Sequence, residues 1–217
     1  MNNKEIYIIG GGCSITPKMV KLLENKTTIA VNKSFLYFPK SNYFVTMDFT
    51  ALNKIKSGLK LINESQATRI FIANFTKPYI KEINGRIIDT RTNLIYELKD
   101  FDLIIKSHKE EGIGLTFKEF VNGNNSGYCA FQTAVILGYK NIYLCGIDLK
   151  LSGIYSHFHG GYNEPIKRFE EKLEGYFQNW KKGIEELKIL KPNIKVYSCS
   201  KISRLNGIIP YKPIENE

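Results

Sequence analysis

Short apolar, β-branched runs alternate along this chain with stretches in which apolar residues recur every three or four positions. The runs fall at 6–9, 28–31, 43–47, 69–73, 103–105, 141–145 and 194–197. Each is bounded by turn residues, the pattern of strands buried on both faces. Thr16 is placed to cap a helix that opens on Pro17 and carries Met19, Val20, Leu22 and Leu23 on one face. A second helix starts at Ser126 or Gly127, runs through Ala130, Phe131, Ala134 and Leu137, and stops at Gly138. A third starts near Glu164-Pro165, and its stripe of Phe169, Leu173, Phe177, Trp180, Ile184 and Leu187 reads as core packing. Strands that alternate with helices predict an α/β, Rossmann-like fold, with a mainly parallel sheet, right-handed crossovers and helices on both faces. Residues 75–124 interrupt the pattern. Asn84-Gly85 predicts a hairpin turn between 79–83 and 86–88, and Gly112-Ile113-Gly114 a loop. This stretch reads as a small insertion, a lid over the site, within one domain spanning 1–217.

Composition changes that picture little. The 217 residues are 43% hydrophobic, enough for one sizeable core. The apolar run at 6–9 is too short for a signal-peptide core, and no stretch approaches the roughly 18 apolar residues of a membrane span, so the expected compartment is the cytoplasm. Cys13, Cys129, Cys145 and Cys199 are far apart, without the spacing of a zinc site, and are expected to be ordinary buried thiols. The formal net charge of +10 suits nucleic acid, an anionic membrane surface or a polyanionic substrate. Nucleic acid is therefore carried as a partner on charge alone, since no RNA-binding signature or zinc finger accompanies it.

The chemistry should sit beyond the carboxyl ends of the strands. There the chain places Gly10-Gly11-Gly12-Cys13-Ser14, then Asn32, Asp48, Asn74 and Gly146-Ile147-Asp148. Glycines let a backbone approach a phosphate, and the following helix start favours the anion. The turn is neither a full GxGxxG nor a Walker loop. Asn124-Asn125-Ser126-Gly127 opens a second helix start with the same capacity. Two of the three histidines, His157 and His159, lie in Tyr155-Ser156-His157-Phe158-His159-Gly160-Gly161-Tyr162. Spaced by two, they face one side of an extended segment. Such a pair offers a general base or, with Asp148, a metal site.

From Asn125-Ser126-Gly127 through Gly138-Tyr139-Lys140-Asn141 to Gly146-Ile147-Asp148, the chain resembles the small bacterial sialyltransferases that build lipooligosaccharide. It also resembles a broader Rossmann-like group of bacteria and phages that includes the archaeal 6-hydroxymethylpterin diphosphokinase. The first resemblance implies a glycosyltransferase: metal-independent, inverting transfer from a CMP-sugar or similar nucleotide-sugar to a saccharide or other hydroxyl acceptor, with no cofactor. It places the nucleotide against Gly10, Gly12, Ser14, Asn32, Ser126 and Asp148, and Gly11, Asp48, Asn125 and Gly127 beside them complete the expected nucleotide site. It makes His157 or His159 the base, with Lys150 or Tyr155 on the leaving phosphate. The sequence departs from that pattern: Asp48 stands near another family Asn, the family's basic C-terminal extension is absent, and three further features differ. Gly11 stands where the family has Asn, Lys150 where it has Tyr, and the histidines precede Gly160 rather than follow a glycine. The second resemblance implies a Mg²⁺-dependent diphosphokinase using Asp48 and Asp148. A phage-type DNA-modifying glycosyltransferase and a non-catalytic nucleotide-binding module complete the alternatives.

Overall fold

The structure is a computed structural model that describes residues 4–47, 56–73, 80–89, 94–100, 102–107, 109–152, 157–159 and 166–214. In chain order it carries β1 (Glu5–Ile9), α1 (Pro17–Leu23), β2 (Thr28–Val31), β3 (Tyr43–Thr46), α2 (Lys56–Glu64), β4 (Thr68–Ala73), β5 (Ile80–Ile83), β6 (Arg86–Asp89), β7 (Leu94–Glu97), β8 (Leu103–Lys106), α3 (Ser126–Ile136), β9 (Asn141–Cys145), α4 (Ile166–Leu190) and β10 (Lys195–Ser198). Seven strands form one sheet in the order β10-β9-β1-β2-β3-β4-β8. Every neighbouring pair in it is parallel. This is the Rossmann-like α/β architecture that the runs predict.

Alternation along each strand sorts the side chains into two layers. Ile6, Ile8, Ile29, Val31, Val45, Ile70 and Ile72 pack with α3 and with Trp180, Ile184 and Leu187 of α4. Tyr7, Ile9, Ala30 and Phe44 pack on the other face with Leu23 of α1 and Ile62 of α2. Helix α3 is buried along Ser126–Val135, so it is covered all round rather than on one stripe, and its polar Gln132 and Thr133 are buried with it. Thr16 caps α1 by accepting from the Met19 N–H, and Gly138 (φ 81°) ends α3, both as the residue types predict.

Within 75–124, β5, β6 and β7 form a separate antiparallel sheet, whereas β8 joins the seven-stranded sheet. Asn84 and Gly85 both lie at positive φ (49° and 71°), the requirement of a tight hairpin turn, and Ile87 is buried in the α1/α2 layer. Its third strand and helix α2 are absent from the pattern read above. The charged start of β4 is also more than a strand end. Arg69 is fully buried and paired with Asp102, which lies just before β8. No described helix is long and apolar enough to cross a membrane.

Candidate functional site

Strand order reverses at β1. The chain leaves it toward β2, β3, β4 and β8, and returns through α3 to β9 on its other side. Two neighbouring strands whose exits diverge leave a crevice at their carboxyl ends. Here the register Ile9↔Cys145 sets Gly10 beside Gly146. The pairing continues past the strands, with the Gly10 N–H donating to Cys145 O (2.8 Å) and the Gly12 N–H to Gly146 O (2.7 Å). A cavity of about 110 Å³ opens there. It is bounded by the Gly10–Gly12 turn, Asn32, the start of α3, the Gly146–Lys150 turn, His157 and the first half of α4.

The glycine turn is required by the closeness of the β9 turn. A Cβ on Gly12 would stand 2.4 Å from an Asp148 carboxylate oxygen and 2.7 Å from the Gly146 carbonyl. That carboxylate accepts from the Ser14 N–H (2.9 Å) and the Ser14 hydroxyl (2.6 Å). Asp148 is only 2% exposed, so its first task is to bind the two turns together. It is also the one carboxylate among the described lining residues. The Ser34 hydroxyl donates to the Gly10 carbonyl (2.8 Å), tying the segment after β2 to the same turn. Asn32, at φ 51°, accepts from the Thr46 hydroxyl (2.7 Å), and its amide nitrogen remains as a donor.

At the start of α3, the Asn125 side-chain Oδ1 accepts from the Tyr128 N–H (3.0 Å), and Ser126 Oγ accepts from the Met47 N–H (3.4 Å). Asn125 thereby satisfies one of the first N–H groups of α3, and those of Ser126 and Gly127 have no intrahelical acceptor. Gly127 lies against Ile147, where a Cβ would come within 2.9 Å of Cδ1. The α4 stripe divides. Trp180, Ile184 and Leu187 are core, whereas Phe169 and Leu173 line the cavity together with Tyr176, correcting the reading of the whole stripe as core.

The two histidines stand on the glycine turn. A Cβ at Gly11 would meet His157 Cδ2 at 2.6 Å and His159 Nε2 at 2.8 Å, and the Phe158 N–H donates to Gly11 O (2.9 Å). Their rings stack, centroids 5.0 Å apart, and His159 continues the stack onto Tyr37. His157 faces the cavity and Phe169. Burial, reinforced by the Lys33 charge, pushes His157 down to about 4. Burial, then His157 and Lys33, does the same to His159. Both rings are therefore neutral near pH 7 and carry a lone pair able to accept a proton.

Lys33 and Tyr176 are the site's unanticipated residues. Lys33 is a buried lysine directly after Asn32, and its place beyond β2 was its only signal. Lys150 is exposed at the cavity mouth. Asp48, Asn74 and Tyr155 lie outside the described residues. Cys129, Cys145 and Cys199 are buried as expected. Cys13, in the glycine turn, is half-buried, and burial followed by the Asp148 charge raises its thiol pKa. Among the described residues no group of three or more His, Cys, Asp or Glu is placed to hold a metal ion, and Asp148 is turned to Ser14 rather than to the histidines.

Solved structures that share this fold include sialyltransferases of Campylobacter jejuni. CstII in complex with the substrate analogue CMP-3FNeuAc aligns over 97% of this chain and 86% of its own, at 19% identity and a TM-score of 0.51. Monofunctional alpha-2,3-sialyltransferase Cst-I aligns over 100% and 82%, at 18% identity and a TM-score of 0.54. Monomeric CstII aligns over 99% and 88%, at 20% identity and a TM-score of 0.53. At such identity the likeness is one of fold. No family model matches the chain, and no curated protein does.

Proposed function

We propose that this chain is an inverting glycosyltransferase that takes a CMP-sugar or a similar nucleotide-sugar and passes the sugar to a hydroxyl acceptor. The observation that carries the reading is one cavity that joins a neutral imidazole, His157, to the glycine turn and to the start of α3, whose first N–H groups have no intrahelical acceptor. The fold shared with sialyltransferases seen with CMP and CMP-3FNeuAc supports a cytidine donor.

In this reading the donor phosphate lies beside the glycine turn and against the α3 start, whose first N–H groups are preorganised for negative charge. Phe169 and Tyr176 offer ring faces to the nucleotide. His157 takes the proton of the acceptor hydroxyl as its oxygen bonds to the anomeric carbon. The bond from that carbon to the phosphate oxygen breaks, and the nucleotide leaves with the electron pair. The first N–H groups of α3 stabilise the charge that develops on it. The described lining supports inversion, since its one carboxylate is not free to act as the nucleophile that double displacement ordinarily uses. A double displacement needs a carboxylate nucleophile at the anomeric carbon, and Asp148 is engaged by Ser14.

A melting panel of CMP, UDP, GDP, ADP and ATP, each with and without Mg²⁺, tests the donor. A ligand at a hundredfold excess over its Kd adds about 2.7 kcal/mol to the folded state. CMP is expected to raise Tm by about 5–10 °C without metal. A rise with ATP and Mg²⁺ alone, or with no nucleotide, would sink the donor assignment. Gly11→Ala is the cleaner probe of the turn. Its methyl group meets imidazole edges, whereas one at Gly12 meets the Gly146 backbone and would damage the fold itself. Gly11→Ala should keep Tm within a few degrees and lower turnover at least about tenfold by displacing His157. Unchanged turnover in a glycosyl-transfer assay would remove the histidine stack from the mechanism.

A further inference from the structure

Beside the nucleotide cavity runs an open groove of about 820 Å³. Its walls are the 149–151 segment, Glu170 and Leu173 of α4, and the turn that carries Lys201, Ile202 and Arg204. Leu149, Lys150 and Leu173 line both spaces, so the groove opens onto the cavity without an intervening layer. The two also share backbone. The Ser203 hydroxyl donates to the Ile147 carbonyl (2.8 Å), and the Arg204 N–H donates to the Asp148 carbonyl (2.9 Å). Between Asp148, closed against Ser14, and Lys150, exposed at the mouth, the chain reverses at Leu149, held at φ 47°. A bulky residue rarely adopts that conformation, and such strain persists only where the surroundings enforce it.

The charges of the groove are not equivalent. Arg204 is already committed, donating to the Glu174 carboxylate (2.5 Å) with its guanidinium 4.0 Å over the Phe177 ring. Lys150 and Lys201 are exposed, and among the described residues neither forms an ion pair. Glu170 is the one carboxylate in the lining. Leu151 and Ile202, the latter 39% exposed, give the floor an apolar strip.

We infer that this groove is the acceptor subsite and that it takes a saccharide bearing a phosphate monoester, held by Lys150 and Lys201, an assignment that rests on the glycosyltransferase reading. A carboxylate is best met by the planar fork of an arginine, and the groove's arginine is spent. Two ammonium point charges instead match a phosphate monoester, which carries about −1.5 to −2 at neutral pH. The apolar strip suits the C–H face of a sugar ring. The junction at Leu149 then brings an acceptor hydroxyl to the mouth where His157 stands.

The test is an amide-shift titration of the full chain with glucose 6-phosphate, glucuronate and glucose, each with and without CMP. Glucose 6-phosphate is expected to shift the amides of 149–151 and 201–206, to bind alongside CMP, and to bind at least about tenfold more tightly than the other two. Lys201→Glu should weaken it about tenfold, as expected for one reversed rim charge, while the CMP titration stays unchanged. Equal binding of phosphate and uronate, competition with CMP, or unchanged affinity in Lys201→Glu would overturn the assignment. CMP itself reports on the donor reading. If the sugar phosphate occupies the groove but CMP does not bind, the donor reading falls and the phosphate groove stands. If CMP binds and no sugar phosphate does, the groove falls alone.

Discussion

Asp102→Ala should cost the fold about 3–5 kcal/mol, the largest stability loss expected from a single substitution in the described structure. The side chains of Arg69 and Asp102 are 0% and 1% exposed. Arg69 Nε donates to both carboxylate oxygens (2.9 and 3.0 Å), and Nη2 donates to Asp102 and to the Glu97 carbonyl. Nη1 reaches the Ile62 carbonyl and Asn63 Oδ1, both at 3.3 Å. The carboxylate also accepts from the backbone N–H of Arg69 (3.2 Å) and of Lys99 (2.6 Å). One guanidinium thus fastens β4, the end of α2, the end of β7 and the approach to β8. Removing the carboxylate leaves a buried cation and unpaired N–H groups, whose desolvation is no longer offset. Urea unfolding should show a lower midpoint with an unchanged slope. The double variant Arg69→Met/Asp102→Leu should recover part of the loss, because two apolar side chains of similar volume leave no charge stranded. A midpoint for Asp102→Ala that costs less than about 1 kcal/mol would show that the pair is incidental.

That pair also marks where the sequence stops being legible. Runs such as Thr28–Val31 and Asn141–Cys145 form strands over the residues read from them, because strands covered on both faces must be apolar throughout. Asn84-Gly85 declares its hairpin because few other dipeptides tolerate two positive φ values. Nothing comparable marks β7, whose four residues are too few for periodicity to separate strand from helix. Helix α2 carries Gly58 inside its span, and an interior glycine weakens a helical reading of the pattern. The α4 stripe is correct in period yet mixed in meaning. Spacing gives the face of a helix, not its neighbour, and the same face packs on the sheet at Trp180 and borders the cavity at Phe169 and Tyr176. The glycine turn, Asn32 and Asp148 are visible because they follow strands, and Ser126 because it opens a helix. The contact of both imidazoles with Gly11 is not, since it depends on a chain path 146 residues away in sequence from that turn.

His157→Ala should lower turnover by about 10²–10⁴ and leave CMP affinity within about twofold, the signature of a lost general base rather than a lost ligand contact. The ring lines the cavity, whereas His159 stands behind it against Tyr37, so His159→Ala should cost much less. The pH dependence follows from the environment of the ring. Burial and the Lys33 charge hold His157 at about 4, and only the neutral ring accepts a proton. Activity is then present above that value and lost as pH falls through it. The acid limb of kcat/KM, which reports on the free enzyme, should lie well below the ordinary histidine value of about 6.5. A nucleotide phosphate entering the cavity brings negative charge beside the ring and opposes Lys33, which raises the pKa of the bound enzyme and strengthens the base. The limb of kcat should accordingly lie above that of kcat/KM. Lys33→Met removes a charge that lowers the pKa, so it should move the kcat/KM limb upward. A downward move would contradict the electrostatic account, and wild-type turnover in His157→Ala would take the base from this residue. If His159→Ala shows the larger loss, the two rings exchange roles, and the stack rather than the cavity wall identifies the proton acceptor.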